Sequence, residues 1–445
     1  MKNNYVHKQF WKYVLPSMFA MLLSGFYAIV DGLFVGNAVG NTALAAINIA
    51  YPIQVVLNAT AIGMGIGGAV VMSNARGKHD LEGAGKAMGS TLGLLFLAGC
   101  ILPLILLLFL PQLLGMLGAS GDLYQEAHNY ILVVLLGGML PVLGNGLNPL
   151  IRNHGRTFLA TAIMSSGLIT NIVLDYVFVF QRHMGLGGAA LATIIAQGVV
   201  AILGLLHLWN TQRKTLHWRN LIPCRSICKQ ILRIGLSPFG QTMAPSIVII
   251  LTNWMCLSYG GNNAVTIYSV LSYVLASAQL LLQGIGDGVQ PLLSFYYGAN
   301  KEQEIHVLYH KAFVMTLLTA VILFAAVFLF QEPLTALFGI SDALLSSTQD
   351  ALLITAVSFP FLGITRLTSA VFYATDKTKN STFLVYLEPV VLLPVCLILF
   401  SALFQVTGIW IAYPSAQAVL CVIALLMKRP QRQPVSQSAL QESAV

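Results

Sequence analysis

Charged side chains are scarce in this sequence of 445 residues: Asp, Glu, Lys and Arg together make up 9% of it. An ordinary globular protein carries roughly 25% charged residues, so this chain has too few to cover a surface that faces water. Hydrophobic residues make up 57% of the chain, which excludes an intrinsically disordered protein. A polytopic membrane protein is the class that remains. Because one helical span takes about 20 apolar residues, the length accommodates twelve spans.

The chain also lacks the signatures of several soluble functions. The nine histidines show no H-E-x-x-H spacing, and no P-loop lysine is present, so neither metal-dependent hydrolysis nor direct use of ATP is expected. Gly63, Gly65 and Gly68 match G-x-G-x-x-G, but no strand precedes them, and we predict close helix packing there instead of nucleotide binding. No zinc-ligand spacing appears among the six cysteines, which we interpret as free thiols: Cys100, Cys224, Cys228, Cys256, Cys396 and Cys421.

Long apolar runs predict twelve transmembrane helices. They are too long for membrane strands and show no alternation of period two. The runs lie near 10–37, 43–75, 87–109, 126–150, 158–180, 187–211, 230–258, 264–297, 310–330, 346–372, 381–404 and 407–427.

Basic residues mark one side of the predicted membrane. Of the 23 Lys and Arg, all but Arg182 and Arg366 lie in the N-terminal segment, in alternate connections or in the C-terminal segment. The other connections carry acids or no charge. By the positive-inside rule, both termini are expected to face the cytoplasm. The net charge of +8 is therefore attributed to topology, and no nucleic-acid partner is expected.

The chain divides into two halves. Residues 210–229 form the longest polar stretch and are expected to be a cytoplasmic linker between an N-terminal lobe, 1–209, and a C-terminal lobe, 230–429. The tail, 430–445, is rich in Pro, Gln and Ser and is expected to be disordered.

The two halves repeat each other at a nearly constant offset. Pro16 faces Pro238, Leu140-Pro141 faces Phe359-Pro360, and Gln197 faces Gln417. Each half holds six spans, an even number, so both halves start on the same side. We therefore predict two six-helix lobes related by a pseudo-two-fold axis along the membrane normal, an arrangement typical of alternating-access transporters.

The first span and the fifth span carry motifs of a known family. LPSMFAMLLSGFYAIVDGLFVG at 15–36 and NIVLD at 171–175 resemble the multidrug and toxic compound extrusion (MATE) transporters, and the resemblance runs over roughly residues 10–427. It implies a non-enzymatic, cofactor-free antiporter that exports amphiphilic, mainly cationic compounds in exchange for H⁺ or Na⁺ by alternating access. It also implies a monomer, surrounded by lipid in a bacterial cytoplasmic membrane.

Ionisable side chains inside spans are costly and mark candidate functional sites. Asp31 and Asp175 form the best pair, with Asn171 one turn before Asp175 on the same face. Such a site can take protons or hold Na⁺ at Asp31, Asn171 and Asp175; an interhelical polar clamp is the alternative. The family resemblance adds Tyr130 and Thr193 to this cation-coupling site.

The second half offers a different set of residues. As a hypothesis, Asp287, Glu388, Arg366 and Asn253 belong to the substrate cavity. Asp287 is expected near the cytoplasmic end of its span and partly hydrated. Glu388 either meets a cationic substrate or pairs with Arg366. Asn253 is the repeat equivalent of Asp31, which argues against a second cation site of the same kind.

Two further expectations concern the backbone and the alternative functions. Pro16 interrupts the first span and is interpreted as a hinge. A flippase for lipid-linked saccharides is the alternative function, but it would need several basic residues in its cavity, and only Arg366 lies in a predicted span. An intramembrane enzyme would need a nucleophile with a base, or a metal site, and no such set is found.

Overall fold

The computed structural model describes residues 2–38, 41–212, 223–338, 340 and 342–428, although the side chains of 2–4, 26–38 and 41–44 lie outside the described set. All regular structure in these ranges is helical. Two π-helical turns, Tyr176–Gln181 and Glu388–Leu392, interrupt the α-helices. The α-helices are α1 (Lys2–Ala38), α2 (Asn41–Gly77), α3 (Leu81–Leu108), α4 (Leu110–Met116), α5 (Gly121–Leu136), α6 (Met139–Asn153), α7 (Thr157–Asp175), α8 (Gly185–Gln212), α9 (Arg225–Gly298), α10 (Glu302–Leu337), α11 (Asp342–Ala356), α12 (Phe359–Ala374), α13 (Thr378–Leu387) and α14 (Leu393–Lys428).

Twelve spans follow from these helices. In the described chain, eight helical segments are long and apolar enough to cross a membrane, and α5 with α6, which meet at a bend of 59°, make a ninth. Two of the eight hold two spans each, because α9 turns at Gly261 and α14 turns at Gln405, both at positive φ. Residues on either side of the first turn, Thr252 and Tyr268, line one small cavity, as expected of antiparallel neighbours. The eight segments thus hold ten spans, the α5–α6 pair adds one and α1 adds the last. The prediction of twelve spans is confirmed.

The same break recurs in both halves. In the first half Gly137 and Gly138 separate α5 from α6, whose first turn contains Pro141. In the second half two residues separate the end of α11 from α12, which begins with Phe359-Pro360. Proline is favoured in the first turn of a helix because the backbone N–H that it lacks has no partner there. The repeat of the sequence is therefore also a repeat of the structure.

Three large hydrophobic clusters and a small fourth one, around Phe372 and Leu420, organise the described part of the molecule. The first lies within the N-terminal lobe, around residues such as Leu57 and Val134. The second lies within the C-terminal lobe, around residues such as Leu271 and Leu393. The third joins α1 and α2 to α9, α10 and α12 and therefore connects the lobes.

Glycines bring the helices of the two lobes together at the end of the bundle that carries the termini. A Cβ on Gly67 of α2 would lie 2.2 Å from the carbonyl oxygen of Ile231, and one on Gly298 would lie 2.1 Å from that of Asn74. At these distances only the hydrogen atom of a glycine fits where another residue would have its Cβ. Small residues therefore set the spacing of the lobes at this end.

The glycine motif of α2 has the structural role predicted for it. A Cβ on Gly65 would lie 2.4 Å from the carbonyl oxygen of Gly146, and one on Gly68 would lie 1.9 Å from Oγ1 of Thr91. Gly63 approaches the backbone of α9 in the same way. The prediction of close helix packing is confirmed.

Candidate functional site

Two of the first-lobe candidates lie at the end of α7. Asn171 and Asp175 are 2% and 1% exposed. Because they are four residues apart on one helix, their side chains lie on the same face. Asp175 is the last residue of α7 and the π-helical turn Tyr176–Gln181 follows it directly. Turns of this kind are frequent at functional sites, since they change the direction of side chains within a helix.

Thr193 contacts Asn171, and Tyr130 is buried in the same lobe. Nδ2 of Asn171 is 3.5 Å from Oγ1 of Thr193, a long hydrogen bond between α7 and α8. Tyr130 of α5 is 4% exposed and belongs to the same hydrophobic cluster as Val179, which lies on the π-helical turn, and Ala190, one turn before Thr193. The structure therefore brings Asn171, Asp175 and Thr193 together and places Tyr130 in the buried core of the same lobe. The role of these four residues in cation coupling stays a prediction.

The fifth residue, Asp31, belongs to helix α1, and only its backbone is among the described parts of the structure. Its pairing with Asp175 stays a prediction. Pro16, on the same helix, lies inside the continuous helical segment Lys2–Ala38. Its carbonyl oxygen accepts a hydrogen bond of 3.0 Å from Oγ1 of Thr161, and its role as a hinge stays a prediction.

The second lobe contains a buried ion pair. Nη2 of Arg366 in α12 is 3.9 Å from Oε2 of Glu388, and both side chains are at most 5% exposed. The amide of Gln417 donates a hydrogen bond of 2.6 Å to Oε1 of Glu388. Of the two alternatives for Glu388, the structure shows the pair with Arg366. Asn253 is half-buried on α9 before the turn at Gly261.

Asp287 differs from its prediction. It is 6% exposed and not partly hydrated, and its Oδ2 is 3.9 Å from Nη2 of Arg152 in the other lobe. Arg152 was expected in a cytoplasmic connection, but it is the penultimate residue of α6, is buried, and donates a hydrogen bond of 3.0 Å to Oγ of Ser17. A buried guanidinium needs a counter-charge, and the nearest carboxylate belongs to the opposite lobe.

Sequence reasoning missed the polar network beside this ion pair. The amide of Asn153 donates to Oε1 of Gln290 at 3.0 Å, and Oγ of Ser73 donates to Oδ1 of Asn153 at 2.9 Å. Gln290 also donates to Ser294 at 2.9 Å. The available signal was the polar Gln290 in an otherwise apolar run. Its partner lies in the other half of the chain, and the repeat does not reveal it.

The two ends of the bundle differ in charge. The end that carries the termini holds the basic clusters, whereas among described residues the opposite end holds a set of acids and one basic residue, Arg182. These acids are Asp122, Glu126, Glu332, Asp342 and Asp350. Among described residues, no three of His, Cys, Asp and Glu come together as a metal-binding group.

The sequence profile of one family matches most of the chain, over residues 16–177 and 240–411, one match in each lobe. The chain belongs to the MatE family. It is similar to the multidrug export protein MepA of Staphylococcus aureus (strain MRSA252), with 25% identity over 424 residues, 95% of this chain and 93% of the relative. MepA of Staphylococcus haemolyticus (strain JCSC1435) is 24% identical over 428 residues, again 95% and 93% of the two chains.

Solved MATE structures share the fold. The outward-facing conformation of a multidrug resistance MATE transporter of the MOP superfamily superposes with a TM-score of 0.89 at 24% identity, over 98% of this chain and 97% of that one. A MOP superfamily transporter from Pyrococcus furiosus superposes with the same score over 95% of each chain, also at 24% identity. The two six-helix lobes of MATE transporters are therefore present here.

The two intramembrane arginines found in this MATE chain are both next to a carboxylate. Arg152 faces Asp287 and Arg366 faces Glu388. A guanidinium that is neutralised in this way is not free to bind a pyrophosphate. The described part of the site thus offers buried carboxylates and amides, which suit a proton or a small cation, and no free basic cluster for a lipid-linked saccharide.

Proposed function

We propose that this MATE transporter is a secondary active antiporter that exports amphiphilic, mainly cationic compounds in exchange for H⁺ or Na⁺ by alternating access. The observation that carries the proposal is the buried Asn171–Asp175 pair at the π-helical turn of the first lobe. The names of the relatives, multidrug export proteins, support the substrate class.

A coupling residue must bind its ion in one state of the transporter and release it in another. A buried carboxylate meets this requirement, because its charged form is penalised until a proton or a cation arrives or a neighbour moves. Asp175 is 1% exposed, and the amide of Asn171 lies one turn away. In the proposal, Asp31 supplies the second carboxylate, and Thr193 and Tyr130 complete the site.

Alternating access requires an interface that can separate. At the end of the termini the lobes meet through the third hydrophobic cluster and also through the Arg152–Asp287 pair and the Asn153–Gln290 hydrogen bonds. The polar contacts among these can be exchanged for water when the lobes move. In the proposal both termini lie in the cytoplasm, so these contacts would close the cytoplasmic side.

The test of coupling uses Asp175→Asn and Asp31→Asn in purified, reconstituted protein. Asn is nearly isosteric with Asp but cannot titrate, and it binds Na⁺ less well. Both variants are expected to insert normally, since loss of a buried charge lowers the cost of insertion. Substrate-induced ion flux is measured in liposomes with a proton gradient and a sodium gradient imposed separately, and it is expected to vanish in both variants.

Asp122→Asn is the matched control, because Asp122 is an exposed acid in the first turn of α5 of the same lobe. It is expected to keep full coupling. Full ion-coupled efflux by both Asp175→Asn and Asp31→Asn would overturn the assignment. Loss of equilibrium substrate binding in these variants would instead place the acids in the drug site.

Orientation in the membrane is tested separately. A C-terminal fluorescent protein is expected to shine and a C-terminal alkaline phosphatase to stay inactive, since the basic end of the bundle should remain in the cytoplasm. The reverse pattern would contradict the proposed topology.

A further inference from the structure

A basic pair joins the two lobes at the end of the bundle that carries the termini. There the first turns of α1 pack against the start of α10. Val6 of α1 and Leu308 of α10 are both buried in the hydrophobic cluster that connects the lobes. Beside this cluster, at the surface, Nζ of Lys311 in the second lobe contacts Nδ1 of His7 in the first.

The pair presents positive charge and hydrogen-bond donors. An ammonium group has three N–H donors and no acceptor, so Nδ1 of His7 is the acceptor in this contact and the ring N–H lies on Nε2. Among described residues, neither His7 nor Lys311 makes an ion pair with a carboxylate. The ring of Phe10 lies 5.5 Å from Nζ of Lys311, and the exposed Lys8 adds a second charge. An anion that accepts hydrogen bonds would complement this pair.

Two apolar stripes lead away from the pair along the outer surface of the bundle. On α1, Trp11 and Leu15 follow His7 at intervals of four residues, and both are exposed. On α10, the exposed Val314 and Leu318 follow the lysine at three and seven residues. Residues at these spacings share one face of a helix. The basic pair is therefore continuous with two lipid-facing stripes, and a tryptophan lies between the two parts, as is typical of the level of the lipid headgroups.

We propose that this seam between α1 and α10 binds an anionic phospholipid, with Lys311 and His7 as donors to its phosphate. The acyl chains lie along the two apolar stripes, which distinguishes a lipid from a free phosphate ion. A net negative headgroup is favoured over a zwitterionic one because the pair is positive and juxtamembrane basic residues attract anionic lipids.

The site is complete only when the lobes meet at this end, because His7 belongs to the first lobe and Lys311 to the second. A ligand that binds one state better than another shifts the balance toward that state. An anionic lipid should therefore favour the state in which these ends of the lobes are joined. The proposal goes beyond the proposed function, since it depends neither on the coupling ion nor on the exported compound.

The first experiment measures lipid binding to the purified full-length protein by native mass spectrometry. Phosphatidylglycerol and phosphatidylcholine with the same acyl chains are compared, and the unaltered protein is expected to retain phosphatidylglycerol in preference. Lys311→Gln is expected to weaken the apparent affinity for phosphatidylglycerol about fivefold, the effect of one basic residue beside an anionic headgroup. Lys311→Arg is expected to restore it, and the affinity for phosphatidylcholine is expected to stay unchanged.

Lys379→Gln is the matched control, because it removes one exposed positive charge from the same end of the second lobe, in the first turn of α13. It is expected to bind phosphatidylglycerol as the unaltered protein does. Lys8→Gln alters an exposed side chain that makes no buried contact, and it is expected to weaken binding by a smaller factor, so it decides the question if Lys311→Gln does not fold. Equal affinity of the Lys379 variant and these seam variants, or equal retention of the two lipids by the unaltered protein, would overturn the proposal. Displacement of the lipid by glycerol 3-phosphate, which lacks acyl chains, would do the same.

A second experiment tests the bridge between the lobes. Spin labels on Lys78 and Glu302, exposed residues of the first and second lobe, report the separation of the lobes in nanodiscs. Phosphatidylglycerol is expected to shift the distance distribution to shorter values than phosphatidylcholine does, and Lys311→Gln is expected to abolish this difference. The same distribution in both lipids for the unaltered protein would refute the bridging role.

Discussion

The ion pair between Arg152 and Asp287 should hold the lobes together at the end of the termini. Asp287→Asn removes the carboxylate and leaves the guanidinium of Arg152 buried with one hydrogen bond, to Ser17. At 3.9 Å, the Coulomb energy of the pair at an effective dielectric constant of 20 is about 4 kcal/mol. Breaking a buried pair costs about 3–5 kcal/mol.

This cost applies only to the state in which the lobes meet, because water can reach Arg152 once they separate. Since Ser17 still accepts from Arg152, we take the lower end, about 3 kcal/mol, which shifts the balance between the two states about a hundredfold. Spin labels on the exposed Lys78 and Glu302, one in each lobe, report the separation through electron–electron distance measurements. Asp287→Asn is expected to move the distance distribution to longer values.

The second lobe supplies the matched control. The Arg366–Glu388 pair has the same N–O distance of 3.9 Å and similar burial, but both partners lie in one lobe. Glu388→Gln is therefore expected to lower stability without changing the label distance. An unchanged distribution in folded Asp287→Asn, or an equal shift in Glu388→Gln, would refute the reasoning.

The remaining predictions concern single residues. Glu388→Gln should cost about 3–5 kcal/mol of stability, seen as a lower melting temperature, and reduce efflux of cationic and neutral dyes alike; selective loss for cations would contradict the structural role. Asn253→Ala should keep the ion dependence of efflux, and a loss as deep as that of Asp175→Asn would count against it. Gly298→Val should cost about 1–3 kcal/mol by overpacking against Asn74 and weaken the closed state, detected with the same spin labels. Burial and the charge of Arg76 lower the pKa of His154 to about 4, so the imidazole stays neutral above pH 5. His154→Gln should therefore leave the pH profile of transport unchanged between pH 5 and 8. A changed profile would refute this.

Much of the fold could be predicted from the sequence because membrane insertion is governed by local composition. The expected gaps between the spans at 258–264 and 404–407 contain the turns at Gly261 and Gln405. Helices such as α1 and α10 extend several residues beyond the apolar runs. Polar residues can continue a helix outside the lipid, so hydropathy alone does not mark where a helix ends.

The first-lobe site could also be predicted in part. Asn171 and Asp175 share a face through helix geometry, which depends only on their spacing. The π-helical turn after Asp175 was not predicted, because it depends on packing around α7 and has no simple sequence signal.

The sequence by itself determined the class of protein, the span count and the repeat, because hydropathy and charge act along the chain. Only the tertiary structure decided which buried charges neutralise one another. Asp287 meets Arg152, 135 positions earlier in the chain, across the lobes, whereas Glu388 meets Arg366 within one. Such pairing follows from three-dimensional proximity in a medium of low polarity, where a charge needs a partner wherever the chain brings one.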